Sequence, residues 1–223
     1  MLPLEEPQET TINLDVPDER DYLHEDLFGN LEELPESVLY LPEHIQNQWA
    51  KTVTRMACSR FGLCHAINGQ NKAVQEKDGM RYFELPAKMY WEQYLVSNPP
   101  ARFEGATLQS ALNQFLNLWF ITWYSRVHAI QDMKYALSKV RLILTGSKNG
   151  NWVSVRDKKI YAVGNWPAHI FAIVGYDKTG WRAINSYWPN NGLFHIAYEL
   201  TDTLFTRYAI SDSRDEEVFR KFK

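Results

Sequence analysis

The chain has 223 residues, of which 45% are hydrophobic, and a formal net charge of −3 at pH 7. This is enough apolar material for one sizeable domain or two small lobes. The scattered charges disfavour nucleic acid as a partner, and no apolar run approaches the roughly 20 residues that a membrane span needs. The sequence therefore predicts a soluble globular protein with neither a nucleic-acid nor a membrane partner.

Both ends of the chain are predicted to lie outside the packed domain. Residues 1–33 are acidic and contain prolines, which is typical of an extended arm. The segment from Met1 to Pro7 has neither a basic start nor a long apolar stretch, so we expect no secretory signal. Residues 211–223 are highly charged and predict a solvated tail.

Helical patterns occupy the first half of the domain. Apolar residues recur at helical spacing after Cys58, which predicts a helix from about Ala57 to Val74. A second helix is predicted from Pro86 to about Val96, and a third after the N-cap residue Thr107. A short helix is expected at about 132–139. The apolar face of the third helix is predicted to be core and not a cofactor site.

From Val140 onwards the pattern changes to short apolar segments separated by turn residues. The predicted strands are Val140 to Thr145, Trp152 to Val155, Ile160 to Val163, His169 to Tyr176, Trp181 to Tyr187 and Leu193 to Tyr198. The glycine-rich turn at 146–151 joins two strands and lacks the Lys-Ser/Thr ending of a phosphate loop, so no phosphate site is expected.

A histidine and an asparagine are predicted to meet on two of these strands. His169 opens an apolar strand, and a turn at Asp177 leads to a strand that returns with Asn185, sixteen residues after His169. An asparagine carbonyl can accept a hydrogen bond from one ring nitrogen and leave the other to face a nucleophile. This is the base and its orienting group in a catalytic triad.

Cys58 is the candidate nucleophile, because it falls where the first helix begins. The unpaired N–H groups and the positive end of the helix dipole are expected to lower the pKa of a cysteine there. Cys64 is expected to be a small core residue. Cysteines six positions apart on a helix are rotated by about 240° and separated by about 9 Å along the axis, so both thiols are predicted to be free.

The residues quoted above resemble the papain-like cysteine peptidases, in the family's order of glutamine, cysteine, histidine and asparagine. Cys58, Phe61 and Ile67-Asn68-Gly69 stand at the offsets of the family's active-site helix, and the spacing of His169 and Asn185 is similar to the family's own. Ser59 and Arg60 depart from the family's tryptophan and alanine. The separation of Cys58 and His169 is 111 residues, shorter than the roughly 130 to 150 typical of papain and cathepsins.

The resemblance also suggests supporting residues. Gln48 matches the family's oxyanion-hole glutamine, although it lies ten residues before Cys58, a longer gap than the family usually has, and Gln46 is an alternative. Trp188 is expected to shield the contact between His169 and Asn185, as the family's tryptophan does, although Tyr187 displaces it by one position in the chain.

The resemblance implies an α+β, papain-like fold over residues 34–210. A helical N-terminal lobe at about 45–130 would pack against an antiparallel, β-barrel-like C-terminal lobe at about 131–210. Cys58 and His169 would meet in the cleft between them and cleave a peptide or protein substrate. The mechanism needs no cofactor. We expect no metal site, because Cys58, Cys64 and His65 do not have a recognised zinc spacing.

Two other functions remain open from the sequence. The first is a cell-wall amide hydrolase that uses the same nucleophile and base. The second is a catalytically inactive papain-like protein that serves as a structural component of a virion or a larger assembly. The two free thiols favour a reducing compartment, and the resemblance to compact bacterial and phage members predicts a cytoplasmic or virion-associated location.

Overall fold

The computed structural model describes residues 33–48, 57–79, 81–101, 106–147, 155–156, 159–160, 169–186 and 192–211. The predicted arm, apart from residue 33, the tail beyond residue 211, most of the glycine-rich turn and Trp188 lie outside the described residues. No helix in the described part is long and apolar enough to cross a membrane.

The four predicted helices are confirmed. They are α1 (Cys58–Asp78), α2 (Ala87–Ser97), α3 (Leu108–Asn117) and α4 (Ile130–Ser138). Helix α1 runs one turn further than predicted and ends where Gly79 adopts a left-handed conformation with φ of 67°. Thr107 caps α3 as expected, because its side chain accepts a hydrogen bond of 3.0 Å from the backbone N–H of Ser110.

Four of the six predicted strands are present with shifted bounds, and three more join them. The predicted strands Trp152 to Val155 and Ile160 to Val163 lie outside the described residues except at Val155 and Ile160, which belong to two short strands. The strands are β1 (Val38–Leu39), β2 (Trp123–Arg126), β3 (Ile143–Ser147), β4 (Val155–Arg156), β5 (Lys159–Ile160), β6 (His169–Asp177), β7 (Gly180–Asn185), β8 (Gly192–Ala197) and β9 (Leu204–Ser211). The prediction missed β1, β2 and β9. A 3₁₀ helix (Tyr198–Thr203) connects β8 to β9.

The strands form one sheet in the order β2-β9-β3-β6-β7-β8-β5-β4, with β1 paired to β6 beside this row. The α+β expectation is confirmed, but "barrel-like" describes the sheet too loosely. β2 and β4 lie at opposite ends of the order and do not pair within the described residues, so the sheet is open. The pairing is antiparallel except between β5 and β8.

The core lies between α1 and the sheet. Every residue of α1 from Ser59 to Asn71 is buried, and β6 is buried at every position except its last. A helix buried all round belongs at the centre of a domain rather than on its surface. The side chain of Gln70 links α1 to β9, since its Nε2 donates to the carbonyl oxygen of Ile210 at 2.7 Å.

Gly62 allows α1 to lie close against the sheet. A β-carbon at this position would come within 3.2 Å of the Cα of Phe171 in β6 and 3.0 Å of the Leu144 side chain in β3. Side chains four residues apart share one face of a helix, so Cys58 lies on the same face as Gly62, one turn nearer the helix start. The close contact at Gly62 therefore brings Cys58 to the beginning of β6.

Candidate active site

Cys58 is the first residue of α1 and is only partly buried. The first turn of the helix contains no acidic residue, so no side chain there offsets the positive end of the helix dipole. The backbone N–H of Ile170 in β6 acts on the thiol and lowers its pKa. The nucleophile candidate thus lies against the residue that follows His169.

The hairpin of β6 and β7 brings His169 and Asn185 together. Ala172 pairs with Ile184, so in the same register Asn185 comes opposite Phe171, on the face that His169 also occupies. His169 Nε2 and Asn185 Oδ1 are 2.8 Å apart. Because an amide oxygen only accepts hydrogen bonds, Nε2 is the donor, and Nδ1 of the neutral ring is left as the basic nitrogen.

Burial sets the resting protonation of the two groups. It raises the pKa of the Cys58 thiol, although the N–H groups of Ile170, Ser59 and Cys58 and the charge of Arg60 act in the opposite direction. Burial also lowers the pKa of His169 to about 4, against a smaller raising effect of the Asn185 hydrogen bond. A thiol beside a neutral imidazole is therefore the resting state at neutral pH.

The sequence predicted that the start of α1 would lower the pKa of Cys58. This effect is present, but the prediction missed the larger, opposite effect of burial. The N–H groups at the start of α1 do lower the pKa of Cys58, but desolvation outweighs them. The thiolate is consequently not the dominant resting form of Cys58 at neutral pH.

Gln48 lies against Ser186, the residue that follows Asn185 just beyond the end of β7. It is buried, and its backbone N–H donates to the carbonyl oxygen of Ser186 at 3.0 Å. The Ser186 hydroxyl donates to Gln48 Oε1 at 2.7 Å. Because the hydroxyl holds the oxygen of the amide, the orientation of the NH₂ group of Gln48 is fixed.

Gln46 has a different role from the alternative that the sequence left open. Its Nε2 donates to the carbonyl oxygen of Leu85 at 2.7 Å, and its Oε1 accepts from the N–H of Ala87 at 2.8 Å. Both ends of this amide therefore hold the segment that enters α2. Its backbone N–H donates to Nε2 of the buried His65 at 2.9 Å, which fixes the approach to Gln48.

The remaining sequence candidates do not form a second site within the described residues. Cys58 and Cys64 are free thiols, as predicted, and Cys64 is fully buried in the core. No group of three His, Cys, Asp or Glu side chains in the described part is placed to hold a metal ion. Burial lowers the pKa of His65 to about 3, so this ring is neutral.

Sequence reasoning missed two residues near the site. Ser186 orients Gln48, and its position directly after Asn185 was the available signal. Arg60 is a fully buried cation in the first turn of α1, and it stood out in the sequence only as a departure from the family pattern. Its partners lie about fifty residues along the chain, where no local pattern reveals them.

Solved structures of cysteine proteases share this fold. Xylellain, a cysteine protease from Xylella fastidiosa, is similar with a TM-score of 0.70 and 18% identity, over 95% of this chain and 100% of that one. Procathepsin B from Trypanosoma congolense gives a TM-score of 0.57 at 12% identity, over 91% of this chain and 83% of that one. A Carica candamarcensis cysteine protease gives 0.53 at 13% identity, over 81% of this chain and 100% of that one.

These similarities show that the chain has the papain-like fold, as the sequence predicted. No family model matches the sequence, and no curated protein matches it.

Proposed function

We propose that the chain is a cysteine peptidase that hydrolyses peptide bonds, with Cys58 as nucleophile and His169 as general base and acid. The observation that carries the proposal is the 2.8 Å contact of His169 Nε2 with Asn185 Oδ1, made beside the helix start that bears Cys58. The papain-like fold supports the same chemistry by analogy. The partner is accordingly a peptide or protein substrate.

The reaction begins with a proton transfer from the Cys58 thiol to Nδ1 of His169. The sulfur attacks the peptide carbonyl, and the imidazolium then protonates the leaving amine, so that a thioester remains on Cys58. Water hydrolyses the thioester with His169 again as the base, which releases the acid and restores the thiol. Asn185 keeps the ring in the orientation and tautomer that both steps require.

The oxyanion of the tetrahedral intermediate needs hydrogen-bond donors. The Gln48 amide is a suitable donor because Ser186 holds its oxygen and thereby fixes the direction of its NH₂ group. The N–H of Cys58, at a helix start where the first N–H groups lack intrahelical partners, is the second donor. One such donor contributes on the order of 3 kcal/mol in comparable hydrolases.

The two cysteines of α1 allow a direct test. We would measure hydrolysis of a panel of fluorogenic peptides by the wild type, Cys58→Ala and His169→Ala. Cys64→Ala is the matched control, since it removes a thiol from the same helix but from the core. We expect loss of activity in the first two variants by about 10²-fold to 10⁴-fold or more, and retention in the third.

Labelling of the thiols tests the same pair without knowledge of the substrate. Iodoacetamide labelling followed by peptide mass mapping should give His169-dependent modification of Cys58 that is faster than modification of the core residue Cys64. Equal, slow labelling of both cysteines in folded protein, with no hydrolysis of any peptide, would contradict the proposal. Including peptidoglycan-derived peptides in the panel separates a general peptidase from a cell-wall amide hydrolase.

A further inference from the structure

Arg60 occupies an unfavourable position for a cation. It is the third residue of α1, where the positive end of the helix dipole favours acidic side chains, and its side chain is 0% exposed. Burying a charge costs several kcal/mol unless an opposite charge compensates for it. A cation in this position therefore needs an explanation beyond the packing of α1.

Arg60 donates four hydrogen bonds, and all of their acceptors are neutral. Nε donates to Gln114 Oε1 at 3.0 Å, Nη1 donates to the hydroxyls of Ser110 at 2.9 Å and Ser59 at 3.1 Å, and Nη2 donates to the carbonyl oxygen of Ser110 at 3.1 Å. The guanidinium also lies over the Tyr94 ring, 3.7 Å from its centroid. In the part of the chain that the structure describes, no carboxylate lies within ion-pair distance.

The guanidinium keeps its charge in this environment. Burial lowers the pKa of Arg60 to about 10, which is still well above neutrality. His169, by contrast, is neutral at pH 7 because burial lowers its pKa to about 4. Before the reaction, Arg60 is therefore a permanent positive charge in the first turn of the helix that begins at Cys58.

We propose that Arg60 is a positioning residue that holds a buried, unneutralised positive charge beside Cys58 and thereby favours its thiolate. This inference rests on the proposed function. Arg60 lies two residues after Cys58 in the first turn of α1, and it donates a hydrogen bond to Ser59, which stands between them in the chain. In a poorly solvated environment a charge acts on its neighbours more strongly than in water.

Other titratable groups face the same region from each packed element. Tyr94 approaches Arg60 from α2, and Cys64 lies on α1 itself. His169, on β6, acts on His65 of α1. Glu84, in the segment before α2, acts on Cys64. Helix α3 contributes only the neutral Ser110 and Gln114 to Arg60. The experiment therefore has to change the Arg60 charge and leave these groups in place.

We would measure the rate of Cys58 alkylation by iodoacetamide from about pH 6 to pH 12 in the wild type, Arg60→Gln and Arg60→Lys, because burial raises the pKa of Cys58 above its ordinary value. The midpoint of the profile should rise by about one pH unit in Arg60→Gln, because the variant lacks the positive charge that favours the thiolate. Such a rise is a tenfold fall in the thiolate fraction well below the midpoint. Arg60→Lys keeps the charge, so its midpoint should stay near that of the wild type. A loss of packing alone would let water reach Cys58 and lower the midpoint, which is the opposite direction.

Arg141→Gln is the matched control. Arg141 is also a buried arginine, at 1% exposure, but it precedes β3, whose residue Ile143 pairs with Ile173. At about 3.3 Å per residue, it lies roughly 15 Å or more along the sheet from Ile170, where Cys58 makes its contact. Its removal should reduce the melting temperature and leave the Cys58 midpoint unchanged.

Gln114→Glu provides a second variant if Arg60→Gln fails to fold. It places a carboxylate at the 3.0 Å contact with Nε of Arg60, so it neutralises the cation and retains the guanidinium. The Cys58 midpoint should rise in this variant too. An unchanged midpoint in folded Arg60→Gln or Gln114→Glu overturns the role of Arg60.

The two proposals fail in different ways. If alkylation of Cys58 does not depend on His169 and no peptide is hydrolysed, the peptidase proposal fails. If the His169 dependence and the peptidase activity are present but Arg60→Gln leaves the midpoint in place, only the inference on Arg60 fails.

Discussion

His169 and Asn185 face each other across a single β-hairpin, whereas Cys58 comes to them on a helix that packs against the same sheet. The first pair is fixed by strand register and one hydrogen bond between residues sixteen apart. The position of Cys58 depends on the close contact at Gly62 and on a helix start that carries a buried cation. The hairpin is thus set locally, and the nucleophile is set by packing across the domain.

Among the residues next to the hairpin of β6 and β7, Gln48 should have the largest effect on kcat when it is replaced. Gln48→Ala should reduce kcat by about 10²-fold to 10³-fold, because it removes one donor to the oxyanion. Gln46→Ala is the control. It should leave the chemistry intact but reduce the free energy of unfolding by about 1 to 3 kcal/mol, since it removes the acceptor of the Ala87 N–H and one of the two donors to the carbonyl oxygen of Leu85. Steady-state kinetics and urea unfolding distinguish the two variants. An equal loss of kcat in both would contradict the proposed role of Gln48 as a donor to the oxyanion.

Acidification tests both the hairpin of β6 and β7 and the helix α1, because each contains a buried neutral histidine. The pKa values of His65 and His169, about 3 and about 4, lie below the unfolded value, so the unfolded state binds more protons below about pH 6.5. The free energy of unfolding should fall from about pH 6.5 towards pH 4 and level off below about pH 3. The loss is on the order of 3 kcal/mol for each histidine.

Urea unfolding at several pH values measures this slope. His65→Gln should reduce it, because the side-chain amide oxygen can still accept from Gln46 but does not titrate. A stability that stays constant between pH 7 and pH 4 would show that neither histidine is held neutral.

Gly62→Ala should disturb the placement of α1, which carries Cys58. The new methyl group would meet the Leu144 side chain at 3.0 Å and the backbone of Phe171 at 3.2 Å, so α1 should move a few tenths of an ångström from the sheet. We expect alkylation of Cys58 to slow by about tenfold, since small misplacements of a reacting group are costly. Overpacking should also destabilise the fold by about 1 to 3 kcal/mol.

Gly69→Ala is the control for this displacement. It lies seven residues further along the same helix, and its methyl group would meet the carbonyl oxygen of Tyr40 at 2.7 Å. It should destabilise the protein without a comparable effect on Cys58. If both variants slow the labelling equally, Gly62 has no special role in placing the nucleophile.

Ser186→Ala should have the smallest effect. It removes the hydroxyl that holds Gln48 Oε1, so the amide of Gln48 is less well oriented. A net loss of about 1 kcal/mol for one neutral hydrogen bond corresponds to about a fivefold reduction in kcat. A full loss of activity would mean that Ser186 does more than orient Gln48.

The local elements of the fold were predictable from the sequence, and the long-range ones were not. His169 and Asn185 lie on one hairpin, where apolar strands and turn residues indicate the pairing directly. β9 was missed because its partners β2 and β3 lie some sixty to ninety residues earlier in the chain. The open sheet order follows from these distant pairings, whereas the barrel-like lobe was expected from the resemblance to the family.

The same distinction applies to the candidate site. Helical spacing placed Cys58 at a helix start, but its pKa depends on burial, which appears only once α1 packs against the sheet. Arg60 was recognised as unusual, yet its acceptors Ser110 and Gln114 lie on α3. Electrostatics in a protein interior reflects the packed neighbours of a group, and a local pattern does not contain them.

The insertion of β9 between β2 and β3 has a consequence for biosynthesis. β9 is the last strand of the described chain to be translated, yet it occupies an interior place in the sheet and receives the Gln70 hydrogen bond from α1. While the ribosome is still translating residues before 204, the nascent chain exposes the unpaired edges of β2 and β3. Such edges invite association between chains, so chaperones that shield nascent polypeptides should increase the yield of this protein.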